Sequence, residues 1–192
     1  AVGFSLSGVD FGLVIASERS ASTVSAQSVT SRPTRVALEA RAASASLVGL
    51  PDGLAMAVRD VAVGINLAGS VGGQVLDFSA MDFEVVTGTG TTHQMALDGA
   101  NGEQIQVAAG FTLNLGGYVY LDGSAAFEKK TSTLLLADGA SVTVDALTVG
   151  ASHVNAFVGM GLVDANADQV IDSHDAIGSD AVGFYLGDVN FA

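Results

Sequence analysis

IQVAAGFTLNLGGYVYLDGSAAF, residues 105–127, alternates apolar and mixed side chains over its whole length. Val107, Phe111, Leu113, Leu115, Val119 and Leu121 fall on one parity; Gln106, Thr112, Asn114, Tyr118, Tyr120 and Asp122 fall on the other. A period of two is the mark of a β-strand with one buried face. At about 3.3 Å per residue an unbroken strand of this length would span roughly 75 Å. The expectation is therefore two or three strands, bent at Gly116-Gly117 and at Asp122-Gly123, where glycine permits a turn or kink. The parity survives both bends, so one face stays apolar throughout.

The same grammar extends in both directions, with one complication. In 2–15 the apolar set runs Val2, Phe4, Leu6 and then slips by one to Val9, Phe11, Leu13, Ile15. In 54–67 it runs Leu54, Met56, Val58 and slips to Val61, Val63, Ile65, Leu67. One extra residue flips the face of a strand, and a β-bulge or a corner between sheets absorbs such a slip. Further strands are expected at 36–48, 74–78, 82–87, 92–97, 132–137, 141–149 and 152–160. Asp-Gly pairs at Asp52, Asp98, Asp122 and Asp138 supply turn chemistry. No amphipathic helix stands out. Ser17 to Arg35 is polar and rich in Ser and Thr, and reads as an exposed excursion. The fold class is all-β: an elongated β-sandwich, an open β-taco or a β-solenoid-like repeat unit with one calcium loop.

The chain also begins and ends on one phrase. AVGFSLSGVDFG at 1–12 and AVGFYLGDVNFA at 181–192 align without a gap, with seven identities in twelve positions at an offset of 180. Val2, Phe4, Leu6, Val9 and Phe11 match Val182, Phe184, Leu186, Val189 and Phe191; Asp10 faces Asn190. The reading is a tandem unit of 1–180 followed, at 181–192, by the start of the next repeat or a shared terminal strand. These ten apolar residues are the expected inter-repeat strand.

The net charge is −13, from 20 acidic and 7 basic residues, with Lys129 and Lys130 the only lysines. That balance excludes nucleic-acid phosphate as a partner, because phosphate binding runs on clustered Lys and Arg. No cysteine is present, so stability rests on the core, a metal or assembly rather than disulfides. No run of 18 apolar residues predicts a membrane span, and no signal peptide is visible. Mean hydropathy is high at +0.48, carried by small and β-branched residues with no Trp, which suits a narrow, dense β core.

One motif carries chemistry. DANADQVIDSHD, Asp164 to Asp175, reads D-x-N-x-D-x-x-x-D-x-x-D. This is the ligand spacing of a twelve-residue calcium loop. Asp164, Asn166 and Asp168 point oxygens at one centre as the chain curls. Val170 offers its carbonyl, Asp172 acts through a water, and Asp175 closes the loop with a carboxylate. Calcium takes six to eight hard oxygens, which this set supplies. The loop resembles that of dockerins. It departs from them at Gln169, where the family keeps glycine; a positive φ there costs a non-glycine residue on the order of 1 kcal/mol. No amphipathic helix follows, so the dockerin partner, a cohesin, is not implied. Loops of this kind also occur within the tandem β-rich repeats of giant bacterial secreted and surface proteins. The chain resembles those repeats in its glycine-punctuated strands, in phrases such as GYVYLDGSAAFEKKT and in the AVGF restart. That resemblance implies an extracellular or cell-surface location and a structural or adhesive role.

Other constellations are bland. His93, His153 and His174 lie far apart, with His174 at a non-ligand position of the loop, and no zinc spacing links them. No G-x-S-x-G elbow occurs. Glu39, Glu84, Glu103 and Glu128 read as outward residues on strands or turns, not as a catalytic carboxylate pair. Tyr118 and Tyr120 share the mixed parity of the long strand and read as surface packing or a sugar-stacking pair. No enzyme is expected. The leading expectation is a structural repeat of an extracellular filament, sheath or giant surface protein. Neighbouring copies of the same repeat are its partners, stabilised by Ca2+ and strand sharing. A calcium-dependent adhesin or carbohydrate-binding module is the alternative. An outer-membrane barrel would fit the alternation but not the missing Trp and few tyrosines.

Overall fold

The structure is a computed structural model that describes residues 2–18, 33–51, 53–167 and 175–192. Most of the expected 17–35 excursion and the middle of the expected calcium loop lie outside the described residues. What remains is all-β, with ten strands and one 3₁₀ turn at Gly99–Asn101. The strands are β1 (Gly3–Ser7), β2 (Asp10–Ser17), β3 (Thr34–Val48), β4 (Leu54–Leu67), β5 (Phe83–Gly88), β6 (Thr91–Met95), β7 (Gln104–Leu115), β8 (Val119–Leu135), β9 (Ser141–Val163) and β10 (Ala176–Phe191).

Eight of these form one antiparallel sheet in the order β1-β3-β4-β7-β8-β9-β10, with β2 also on β3. β1 and β2 pair with β3 in a single register, Gly3↔Val48 through Asp10↔Arg41, and so occupy one edge position as a broken strand. The sheet is an up-and-down meander of seven positions, whose edges are β1–β2 and β10. β5 and β6 form a separate hairpin.

The β7–β8 hairpin is the ruler for the sheet's faces. Its register is unbroken from Leu115↔Val119 to Gln104↔Lys130. Gly116-Gly117 makes the turn, as expected. Asp122-Gly123 does not: β8 runs straight through it, held by Thr112↔Asp122 and Phe111↔Gly123 on its β7 side. The extra residue is taken up instead in β9, where the register shifts opposite Asp122 and Ser124. The odd residues of the hairpin therefore share one face, and the pairings extend that face across the sheet. One row reads Phe11–Ala40–Val63–Val107–Phe127–Val149. Another reads Leu54–Leu115–Val119–Val158–Phe184. This apolar face is open to solvent: Phe11, Phe127, Val149, Val158 and Phe184 are all exposed.

The two phase slips fall at left-handed residues: at Asp60 the register against β7 shifts by one, whereas across Gly8 the register on β3 is unbroken. Gly8 has φ 58° and Asp60 has φ 52°. His153 (φ 52°) and Asp188 (φ 53°) do the same for β9 and β10. Each flips the parity in mid-strand, so the apolar set stays on one face.

The packed core lies on the second face. The β5–β6 hairpin and the 68–103 segment cover β2–β3–β4 there, burying Ala37, Phe78, Met95 and Leu97, with Val14, Leu76, Phe83 and Val85 against them. Gly12 admits the hairpin: a Cβ there would come within 2.7 Å of His93 Cδ2 and Met95 Sδ. The strand expected at 74–78 does not form. Its backbone is bonded otherwise: Asn66 Nδ2 donates to Leu76 O at 2.7 Å, Arg35 Nε donates to Gln74 O at 2.6 Å, and Phe78 N donates to Leu97 O at 2.9 Å. The strands expected at 141–149 and 152–160 are one, β9, kinked at His153. Among the described residues no helix is long and apolar enough to cross a membrane.

Candidate assembly edges and calcium loop

The repeated phrase occupies both edges of the sheet. Val2, Phe4, Leu6, Val9 and Phe11 lie along β1–β2, and Val182, Phe184, Leu186, Val189 and Phe191 along β10. All ten are exposed. In the first copy the phrase pairs with β3 through Phe4↔Leu47, Leu6↔Ala45 and Phe11↔Ala40. In the second it pairs with β9 through Phe184↔Val158, Leu186↔Ala156 and Phe191↔Ala151.

Three geometric features repeat with the sequence. Strand direction is the first: the edges stand at positions one and seven of an antiparallel meander, so they run the same way. Facing is the second, since both apolar sets lie on the face marked by the odd residues of β7. The third is the kink, Gly8 at φ 58° and Asp188 at φ 53°, at the same place in the phrase.

The kink in β10 abuts that of β9, and two asparagines stitch them. Asn155 Oδ1 accepts from Asp188 N at 2.9 Å and from Tyr185 Oη at 3.2 Å, while Asn155 Nδ2 donates to His153 O at 3.0 Å. Asn190 Oδ1 accepts from His153 N and its Nδ2 donates to Asp188 O, both at 3.0 Å. These side chains replace ladder bonds lost at the bulges. In the first copy the equivalent residue turns elsewhere: Asp10 Oδ2 lies 2.6 Å from Nδ1 of the buried His93 and ties the hairpin to β2.

The 164–175 segment, the expected calcium loop, connects β9 to β10 between Val163 and Ala176, which pair. Asp164, Asn166 and Asp175 are described; Asp168, Val170, Asp172 and His174 lie outside the described residues. Asp175 Oδ1 accepts from Ala165 N at 2.9 Å, which brings the last loop position onto the first turn. Ala167 has φ 58°, so the chain curls tightly after Asn166. Among the described residues no three acidic, His or Cys side chains gather as a metal cluster. Asp164 and Asp175, at the two ends, are held together by the strand pairing.

Several residues have roles the sequence did not suggest. Glu39 Oε2 accepts from Ala96 N at 2.5 Å, and Glu103 Oε1 from Ala68 N at 2.8 Å, so both cap backbone rather than point outward. Glu128 pairs with Lys130 at 2.8 Å. Asp77 accepts from Gly99 N, Ser79 Oγ and Ser79 N, and these bonds, Gly99 foremost, hold its carboxyl below the ordinary aspartate range. Tyr118 is exposed in the β7–β8 turn, apart from Tyr120, whose ring stands 6.3 Å from that of Phe157. Tyr120, Asp122, Asn155, Tyr185 and Asp175 line a cavity of about 160 Å³ on the second face. The dispersed His93 and Asp10 left no signal in the sequence.

Comparison with known proteins returns no match: no family model, no curated protein and no solved structure matches the chain.

Proposed function

We propose that the protein is a structural repeat of an extracellular filament, sheath or giant surface protein, built into a continuous sheet by sharing its terminal strand. The observation that carries this reading is the phrase on both edges, with one direction, one facing and one kink. A strand has two hydrogen-bonding edges. The phrase uses one toward β3 and, in its other copy, one toward β9. A single strand lying between β9 of one unit and β3 of the next satisfies both. Seven positions less the shared one leave six strands per unit, an even number, so the antiparallel order continues without a break. Two whole units set side by side would instead place like strands parallel. Sharing also covers both edges, which otherwise invite indiscriminate pairing.

Calcium belongs to the same reading. The 164–175 loop sets the turn into β10, and an ion held by Asp164, Asn166, Asp168, Val170, Asp172 and Asp175 would stiffen the approach to the shared strand.

Electron microscopy of the native material in millimolar calcium, then after chelation, tests the proposal. The expected result is filaments with an axial repeat of roughly 29 Å, six strands at about 4.8 Å each, that loosen on chelation. Filaments indifferent to chelation would retain the shared strand and remove the calcium role. Compact single particles under both conditions would refute the filament.

The cavity lined by Tyr120, Tyr185, Asp122, Asn155 and Asp175 favours a second reading, a calcium-dependent carbohydrate-binding module. Aromatic walls with carboxylate and amide groups suit a sugar ring, and Asp175 links the wall to the loop. Glycan-array binding lost in Tyr185→Ala and on chelation is its expected signature; no binding to any glycan would remove it.

A further inference from the structure

Among the described residues, nothing covers the apolar face of the meander. Leu147 is 67% exposed, Met160 56%, Val149 54% and Val158 52%, all on β9. The hairpin and the core are on the other face. The two segments outside the described residues, 19–32 and 168–174, are mostly polar in sequence. We infer that this face packs against the same face of a second copy, so that two sheets make a β-sandwich that one chain half builds.

Area supports a second copy as the occupant. Seven strand positions at about 4.8 Å, each some ten residues at about 3.3 Å, give a face of roughly 1,100 Å². A stable interface needs about 800 Å² per partner, so one copy suffices. An exposed apolar surface of this size marks an interaction site.

The phrase comparison points the same way. At the five apolar-face positions the two copies are identical: Val2/Val182, Phe4/Phe184, Leu6/Leu186, Val9/Val189 and Phe11/Phe191. At the second-face positions 5, 7, 10 and 12 they differ: Ser5/Tyr185, Ser7/Gly187, Asp10/Asn190 and Gly12/Ala192. Whatever covers the apolar face meets both edges in the same way, as a second sheet of the same construction does. A lipid surface fits less well. The chain carries −13 with few cations to meet anionic headgroups. Of its three tyrosines, Tyr120 and Tyr185 line the second-face cavity and Tyr118 stands in the β7–β8 turn, so they make no girdle on the apolar face.

The test is the mass of the full chain in solution and of the variant Phe127→Lys/Leu147→Lys. Both positions are exposed in the single sheet and neither pairs with a residue of the shared-strand phrase, so the charges leave that strand and the chain's own packing in place. Sedimentation equilibrium at micromolar concentration is expected to give paired chains for the parent and half that mass for the variant, with unchanged far-UV circular dichroism. Each single lysine variant provides the same readout should the double one fail to fold. Filaments of the variant are expected to persist as one-layer ribbons, which separates this interface from strand sharing. A parent that stays single, a variant that keeps the paired mass, or a parent that pairs with nothing but floats with phosphatidylcholine vesicles would each overturn the inference.

Discussion

Replacing Gly8 by valine tests whether the kink governs the edge strand. Gly8 holds φ 58° and its carbonyl accepts from Ala43 N at 3.4 Å. A side chain there meets two penalties. The left-handed conformation costs an L-residue about 1–2 kcal/mol, and a β-branched one tolerates it least. The new Cβ would also lie 2.8 Å from Ala43 Cβ, inside van der Waals contact, and overpacking of this kind costs about 1–3 kcal/mol. The sum is about 2–5 kcal/mol, which for a chain of this size lowers Tm by roughly 4–20 °C. The residue found at the same place in the other copy supplies the control. Asp188 takes φ 53° with a short polar side chain that tolerates this region. Gly8→Asp should therefore cost less than Gly8→Val, and Asp188→Gly should be neutral or stabilising by up to about 1 kcal/mol. The assay is differential scanning calorimetry on the parent and the three variants. A Gly8→Val shift under 2 °C, or Gly8→Asp costing more than Gly8→Val, would refute the view that one left-handed kink sets both copies of the phrase.

Three further outcomes follow from named contacts. Calcium at one hundred times its Kd should stabilise the folded chain by about 2.7 kcal/mol; thermal melts with and without chelator read this, and Asp175→Ala should erase it. Asp77 has its carboxyl held below its unfolded value of about 3.9. It therefore adds stability above that value and loses it as pH falls through the lower folded one. Acid titrations of Asp77→Asn should show a shallower loss below about pH 4. Met95 is 1% exposed at the centre of the core beneath the hairpin. Its replacement by alanine should cost about 2–5 kcal/mol, measured by urea denaturation, while a Met95→Leu control costs under about 1.5 kcal/mol.

Alternation made the apolar face legible because each strand carries its own phase. The slips after Leu6 and after Val58 fall at the left-handed residues Gly8 and Asp60, and at Asp60 the register against β7 shifts by one. The same slip between Leu186 and Val189 marks Asp188. Local chemistry misled where pairing on both flanks opposed it. Asp122-Gly123 has turn composition, yet β7 holds β8 straight and the bulge moves into β9 at His153. QVLDF at 74–78 has strand composition, but Arg35, Asn66 and Leu97 take its backbone groups. The Asp10–His93 contact joins residues 83 apart and has no local trace. Nor does alternation reveal whether a second layer exists within the chain: it reports that a face is apolar, not what covers it.

The two copies of the phrase divide the sheet into a fixed face and a variable one. The two copies are identical at every apolar position and differ at positions 5, 7, 10 and 12 of the second face and at the kink, Gly8/Asp188. The consequences are concrete. Asp10 and Gly12 seat the β5–β6 hairpin, through the His93 contact and through room for Met95. Their counterparts Asn190 and Ala192 lack the charge and carry the Cβ that Gly12 omits. The second copy therefore lacks both features that seat the hairpin on the first. Ser5, by contrast, becomes Tyr185, whose hydroxyl donates to Asn155 and whose ring walls the second-face cavity. Ligand specificity, where the protein has any, belongs on that variable face. On the proposed reading, assembly would rest on the apolar face and the kink, the features the two copies share.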